Sequence, residues 1–522
     1  MYRKISRQQV LNFHLPFGGH LDPDNRWIVL SAQIPWEHID EVYVGRLSGS
    51  NQGCPAVTGR LAFGALFIQE RLGLTDRETV QQIIENPYLQ FFLGKEGYSN
   101  ESPFHHTSMV HFRKRFGKDV LSEINAQIIS DSSGQEDDNT PDEPGTPGAR
   151  DTDAAVAKEP QSGNSGKLIV DATCTPADIP YPTDLKLLNE VREKTEEIID
   201  RLHEPHIGRR NKPRTYRQQA RKSYLSLAKQ RKPGRRKIRK ALRKQLGYIG
   251  RNLGSIDRMI TVDNGLPILG QRLYKLLLVA HEIYRQQLLM YEARSNRIPD
   301  RIVNLYQPHV RPIVRGKAGR PVEFGAKISV SLKDGFSHVD RLSWDAYNES
   351  TDLLPQIRAY EKRHGCYPES VHADKIYRTV ENRRFCRQHG IRLSGPPLGR
   401  RPRETEANKE YLKQLKRRQR QDEKDRQAIE GKFGQGKRRF TLGRIMAKLA
   451  ETSESVIMMS FIVMNLEKIL KDLLLSAFFC WNTLAEMAVR AYLRVCTSLK
   501  THYAPVARQM VERSGLDVKM AA

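Results

Sequence analysis

The chain is 522 residues long, 39% hydrophobic and 28% charged, with a net charge of +26. That length accommodates two to four domains with real cores, and the composition is that of a soluble globular protein with polar insertions. So large an excess of cations suits a polyanionic partner, although a merely sticky or ribosome-associated basic protein fits the charge equally well.

The six cysteines are scattered, with no Cys-x-x-Cys pair and no zinc-finger spacing, which argues against structural zinc and for reduced thiols in a cytoplasm. The N-terminus lacks the apolar core of a signal peptide. The most apolar stretch, Leu473–Trp481, has roughly half the length of a membrane span and reads as a buried helix, so no membrane partner is expected.

In chain order, residues 1–128 read as a helical DNA-binding domain. Arg60–Leu72 and Asp76–Phe92 space their apolar residues as amphipathic helices do, and Thr75 with Glu78 fits a capping box. A third helix over Thr107–Phe116 is basic, which makes Arg113 and Lys114 candidates for DNA contact; an ordinary helical packing domain is the alternative. Residues 129–166 follow as a linker. Its 131–160 portion holds nine acidic and two basic residues and no aromatics, too little apolar surface to offset the entropy of ordering, so it is expected to be disordered.

A buried strand at 167–173 gives way to a helix over 185–203, which opens an insertion running to residue 300. Between Pro205 and Ile256 there are eighteen Lys or Arg and no acid at all. Solvated charge runs normally carry both signs, so this stretch points to phosphate contact, with Arg235, Arg236, Lys237, Arg239 and Lys240 in its densest part. A helix over Leu273–Tyr291 closes the insertion. Strands are expected at Pro321–Val330 and Ser337–Trp344 around an Asp-Gly turn, at Ser370–Asp374 and at Ile391–Ser394. Helices are expected at Leu353–His364, Glu381–His389 and Asn408–Arg439, then at Glu451–Leu475 and Trp481–Leu499 in a tail that begins at about 471.

Three acids stand out: Asp171 at the end of an apolar run, Asp374 at a strand end, and Glu430 on a basic helix. Such carboxylates can hold two divalent cations for in-line phosphoryl transfer. Asp178, Asp184, Asp345, Glu349 and Asp352 lie close in sequence, and any single strand-end aspartate is as readily a cap or an ion-pair partner. The pattern alone gives a mixed sheet flanked by helices with acids at neighbouring strand ends. His372 shares a sheet face with Asp374 by two-residue alternation and reads as packing rather than as a ligand.

Ile-Val-Asp-Ala-Thr (169–173) with Asp-Ile-Pro-Tyr-Pro-Thr-Asp (178–184), Phe-Gly-Ala-Lys-Ile (324–328), His-Ala-Asp-Lys-Ile-Tyr-Arg (372–378) and the Arg426, Glu430, Lys437 spacing together resemble the DDE transposases of bacterial insertion sequences with InsH-like N-terminal domains. The resemblance implies an α/β fold with an RNase H-like mixed-sheet core over 167–184 and 301–470, interrupted by the basic helical insertion. It implies a triad of Asp171, Asp374 and Glu430 acting as both catalytic and metal-binding residues with two Mg2+ or Mn2+ ions. It further implies double-stranded DNA, both transposon ends and target, as partner, held by a homodimer in the bacterial nucleoid. Arg426, Lys437 and Arg438 would brace DNA phosphates. A non-catalytic relic or repressor, and a simple nuclease, remain as alternatives. Two departures stand beside the match: Glu423 replaces the family's tyrosine, and Gly431, Gly434 and Gly436 interrupt the helix of Glu430, which either ends soon after that residue or needs its glycines for close approach.

Overall fold

The computed structural model describes residues 13–15, 18–47, 56–133, 163–263, 265–314, 322–396, 399 and 402–514. Seven helices come first: α1 (Arg26–Ala32), α2 (Trp36–Val44), α3 (Gly59–Leu72), α4 (Asp76–Glu85), α5 (Pro87–Phe92), α6 (Ser108–Arg115) and α7 (Lys118–Ser133). Trp27, Phe67 and Phe92 pack edge-on and stacked at their centre. The Thr75 box forms at the start of α4, with Glu78 N–H donating to the threonine hydroxyl and Thr75 N–H to the Glu78 carboxylate. The single helix expected over Asp76–Phe92 is two, because Asn86 stays extended and caps α5 while Pro87 takes its first turn. Helix α7 runs to Ser133, so the linker starts later than the expected residue 129. The segment expected to be disordered falls mainly on 134–162, outside the described residues.

The sheet is mixed. Strand β1 (Lys167–Pro176) is followed by the insertion, α8 (Asp184–His203), α9 (Arg217–Ala228), α10 (Arg235–Asp263) and α11 (Leu266–Glu292, kinked at Gly270). Then come β2 (Arg311–Val314), β3 (Val322–Lys333) and β4 (Phe336–Ser343), α12 (Leu353–His364), β5 (Ser370–Ala373), α13 (Val380–Gln388) and β6 (Arg392–Leu393). The strand order is β2-β3-β1-β5-β6, with β4 on β3. Asp334 and Gly335, both at positive φ, make the tight turn between β3 and β4. Gly325 lets β3 lie against β1: a Cβ there would sit 2.0 Å from the Thr175 carbonyl oxygen.

Alternation divides β1 between two faces. Leu168 and Val170 join Leu353, Ile357, Tyr360 and Val371 in the core beneath α12. Lys167 and Asp171 point the other way, towards α14 (Lys409–Arg439), where Lys167 Nζ donates to Asp425 at 2.8 Å. The insertion has its own core, in which Leu188, Val191, Ile199, Ile249 and Ile283 bury their side chains. Within it Arg192, 1% exposed, pairs with Glu196 at 2.6 Å.

Helix α14 is continuous through its three glycines. Gly436 explains part of this, since a Cβ there would collide with Leu442 at 2.5 Å. Finally α15 (Ala450–Ser514) is one helix where two were expected. The chain divides into a compact unit over Met1–Asn465 and a second over Leu466–Ala522. In the second, Phe478, Phe479 and Trp481 are exposed, which corrects the expectation of a buried helix. Among the described residues no helix is long and apolar enough to cross a membrane.

Candidate active site

Strands β1 and β5 are parallel, with Val170 opposite Ala373. One step further along that register Asp171 stands beside Asp374. Asp171 is not at a strand end as expected: β1 continues to Pro176 because β3 pairs with it along that length. Asp374 does end its strand and caps the turn that follows, accepting from Lys375 N–H at 2.7 Å. Asp171 accepts a hydrogen bond from its own neighbour, the Ala172 N–H, at 2.8 Å.

Burial pushes the Asp171 carboxyl up to about 6. The Ala172 N–H and the Arg426 guanidinium oppose that rise, while Glu349 and Asp374 add to it. Glu349, in a short turn after β4, is therefore a further carboxylate at this site; the sequence offered it only as one of several acids near Asp374. Lys327 of β3 holds it at 3.2 Å and also donates to the Tyr347 carbonyl.

Glu430 lies on the exposed flank of α14, and Arg426, one turn earlier, meets its Oε1 at 3.0 Å. Arg426 thus acts on both Asp171 and Glu430. Asp171, Asp374, Glu349 and Arg426 come together here, with Glu430 joined through Arg426. Among the described residues no three His, Cys, Asp or Glu side chains are close enough to hold a metal ion in this arrangement.

A buried polar clamp seats α14 on the sheet. Asp422 takes both nitrogens of Arg392 on β6, at 2.8 and 3.0 Å. His372, fully buried, sits 3.7 Å from Asp422 and 3.1 Å from the Ser370 hydroxyl. Burial holds its pKa below the ordinary value, against the pull of Asp422. Asp425 is held below the usual carboxylate range by Lys167 and Gln421, which outweigh an opposing push from burial. Neither Asp422 nor Arg392 was expected from the sequence. The only signal was that Asp422 and the apolar Ile429 are seven residues apart and so share a helix face.

The cationic candidates divide. Arg235, Arg236, Lys237 and Lys240 are exposed on α10, as are Lys114 and Arg438 on their helices. Arg239 instead lies over the Tyr291 ring at 4.1 Å, and Lys437 is half-buried. Arg113 departs from expectation: it is 8% exposed and its guanidinium is taken up by Asp76 and Gln69, so it holds α6 to α3 and α4 rather than facing solvent.

Two segments of the chain match known family models. Residues 371–467 match the family described as a transposase DDE domain, and residues 16–115 match a transposase domain (DUF772). Asp374 and Glu430 lie inside the first match, and Asp171 precedes it. The chain is also similar to an uncharacterized protein, ORF8 in the nfe locus of Rhizobium meliloti, with 35% identity over 104 residues. That match covers 20% of this chain and 49% of the relative, so the chain spans about half of that relative's length. No solved structure matches.

Proposed function

We propose that this chain is an insertion-sequence transposase that binds terminal inverted repeats and carries out metal-dependent DNA cleavage and strand transfer from an RNase H-like core. The observation that carries this reading is the pairing of Asp171 with Asp374 across β1 and β5, on the face covered by the helix of Glu430.

The donor set suits a hard cation. Asp171, Asp374 and Glu430 offer only carboxylate oxygens, the ligand type taken by Mg2+ and Mn2+. Ions held there would supply a deprotonated nucleophile and a stabilised leaving oxygen. The chain's own work is then positional. Asp171 and Asp374 are fixed by the strand register, and α14 is fixed by the Asp422–Arg392 clamp, so Glu430 approaches from a set direction. Arg426, Lys437 and Arg438 lie on the same helix and would take DNA phosphates beside the reacting bond.

The seven N-terminal helices would read the element ends. The insertion would grip backbone through Arg236, Lys240, Arg243, Lys244 and Arg251, which recur along the exposed side of α10. Two ends must be held at once, which calls for a homodimer on DNA, working in the bacterial cytoplasm at the nucleoid.

The test uses purified protein and end-labelled DNA carrying the sequence that flanks its gene, with Mg2+ or Mn2+. Asp374→Ala is run in parallel, and products are read for nicking and for joining to a plasmid. Cuts at the element ends and joined products, both absent in the variant, are expected. Cuts without joining would make the chain a nuclease, and specific binding without cuts would make it a DNA-binding relic.

A further inference from the structure

From Lys471 to Arg490 every residue of α15 except Leu473 is exposed, and in the sequence between Asp472 and Arg490 the only charge is Glu486. At about 100° of turn per residue, Leu474, Leu475, Phe478, Trp481, Leu484 and Val489 fall on one half of the helix circumference, while Ser476, Thr483 and Arg490 fall on the other. Trp481 is 73% exposed there and Phe478 60%. Glu486 pairs with Arg490 at 3.6 Å, away from the centre of the apolar stripe. Leu474, Phe478, Trp481, Ala485 and Ala488 follow one another at alternating steps of four and three, and Tyr492, Val495 and Leu499 continue those steps in the sequence. That is the spacing with which one helix packs along another.

We infer that this stripe is a self-association surface: two copies of the chain pair along residues 474–499 of α15, without DNA. These residues lie beyond the transposase match, which ends at 467. The functional reading calls for two copies held on DNA; the tail supplies a contact that needs none, and it stands whether or not that reading does.

Area decides first. The six large side chains of the stripe expose roughly 800 Å2 together, the share that each partner gives to an interface of standard size, and more than a soluble monomer usually leaves in one apolar patch. Helix stability points the same way. A helix draws most of its stability in water from packing an apolar face, and this one packs that face on nothing among the described residues. The segment 131–160 is a poor cover, since it carries nine acids and no aromatic residue. A second copy fits by symmetry. The steps of four and three read the same from both ends about a point between Glu486 and Met487. Two antiparallel copies therefore bring the Ala485 position opposite Ala488 at the centre, and the Trp481 position opposite Tyr492 further out. Small residues meet where the helices approach most closely, with large ones on either side. The stripe carries no charge that pairing would have to desolvate.

The experiment is sedimentation equilibrium of the full-length, nuclease-treated protein at micromolar concentration. High salt strips residual nucleic acid, and a thiol reductant keeps the exposed Cys480 from cross-linking. The wild type should sediment as two copies of the 59.9 kDa chain. Phe478→Asp combined with Trp481→Asp puts charge into the stripe and should give a single chain, with pairing weakened at least about 100-fold. Ser476→Asp adds a like charge on the opposite side of the same helix and should remain paired. Thermal unfolding checks that both variants are folded. A wild type that sediments as one chain overturns the inference whatever the variants do. So does pairing that survives the double change, or pairing that Ser476→Asp abolishes equally. A single-chain wild type that floats with phospholipid vesicles would give the stripe to a lipid surface instead.

Discussion

Glu70 in the N-terminal helices and Asp171 in the sheet are both carboxylates that the fold has taken from water, and burial pushes both pKa values upward. Their surroundings differ. Glu70 accepts from the Thr441 N–H and hydroxyl at 3.0 and 2.8–2.9 Å and from the Ser460 hydroxyl at 2.5 Å, with Arg113 nearby. Asp171 accepts from one backbone N–H and looks onto two further carboxylates. A buried acid with its hydrogen bonds complete binds parts of a fold together; one left short of donors among like charges is suited to a cation. Glu70 ties α3 to the turn after α14 and to α15, joining the two segments that match transposase families.

The contrast is broken most directly at Asp171. Asp171→Asn should reduce cleavage and joining to background while leaving DNA binding intact, read on labelled element ends. The same variant should be at least as stable as the wild type at pH 7. The sign follows from the raised pKa: the folded chain favours protonated Asp171, so its ionisation erodes stability as pH climbs from about 4 through about 6 and no further above that. Thermal unfolding at pH 4 and pH 7 should therefore show the margin of Asp171→Asn over the wild type widening with pH. A variant less stable at pH 7 than at pH 4, relative to wild type, would end the contrast.

Glu70→Ala should act in the opposite sense. It strands buried donors, at about 1–3 kcal/mol for each one left without an acceptor. The unfolding midpoint should drop, and activity should fall only with the folded fraction; a full loss of cleavage in well-folded protein would move Glu70 into the catalytic class. Arg392→Gln, which loosens the clamp under α14, should lower cleavage by about 10–100-fold, the range for groups that orient a ligand from behind it, with DNA affinity unchanged. The smallest effect is expected on the insertion. Each neutralised cation among Arg236, Lys240 and Arg251 should flatten the salt dependence of DNA binding by about 0.9 in slope.

Much of the segment from β3 to α14 was legible in the sequence. Helix α12 is bounded as read, because its apolar spacing stops at Gly365, which takes the left-handed conformation. The Asp334-Gly335 turn fixes the β3–β4 hairpin. What escaped depended on partners distant in sequence. Nothing near Arg113 distinguishes it from Lys114; only the folded chain brings Asp76 to it. Glu349 gains meaning from Lys327 and Asp171, which the sheet brings near. Strand β2 is four residues long and includes a proline, too short to leave a period. The single long α15 was divided in the reading although no Gly or Pro occurs between Ala450 and Ala504.

The seating of α14 has a mechanical consequence. Asp422 pins one point of the helix to β6, and Thr441, just past its end, is pinned by Glu70. The helical span from Asp422 to the end of α14 at Arg439 is about 25 Å at 1.5 Å per residue, and Glu430 lies near its middle. A beam fixed at both supports deflects little under load, so any rearrangement demanded by a bound partner must be taken up by side-chain rotation. The residue that carries the third acid is thus mounted on the stiffest kind of support, and its freedom is confined to its own torsions.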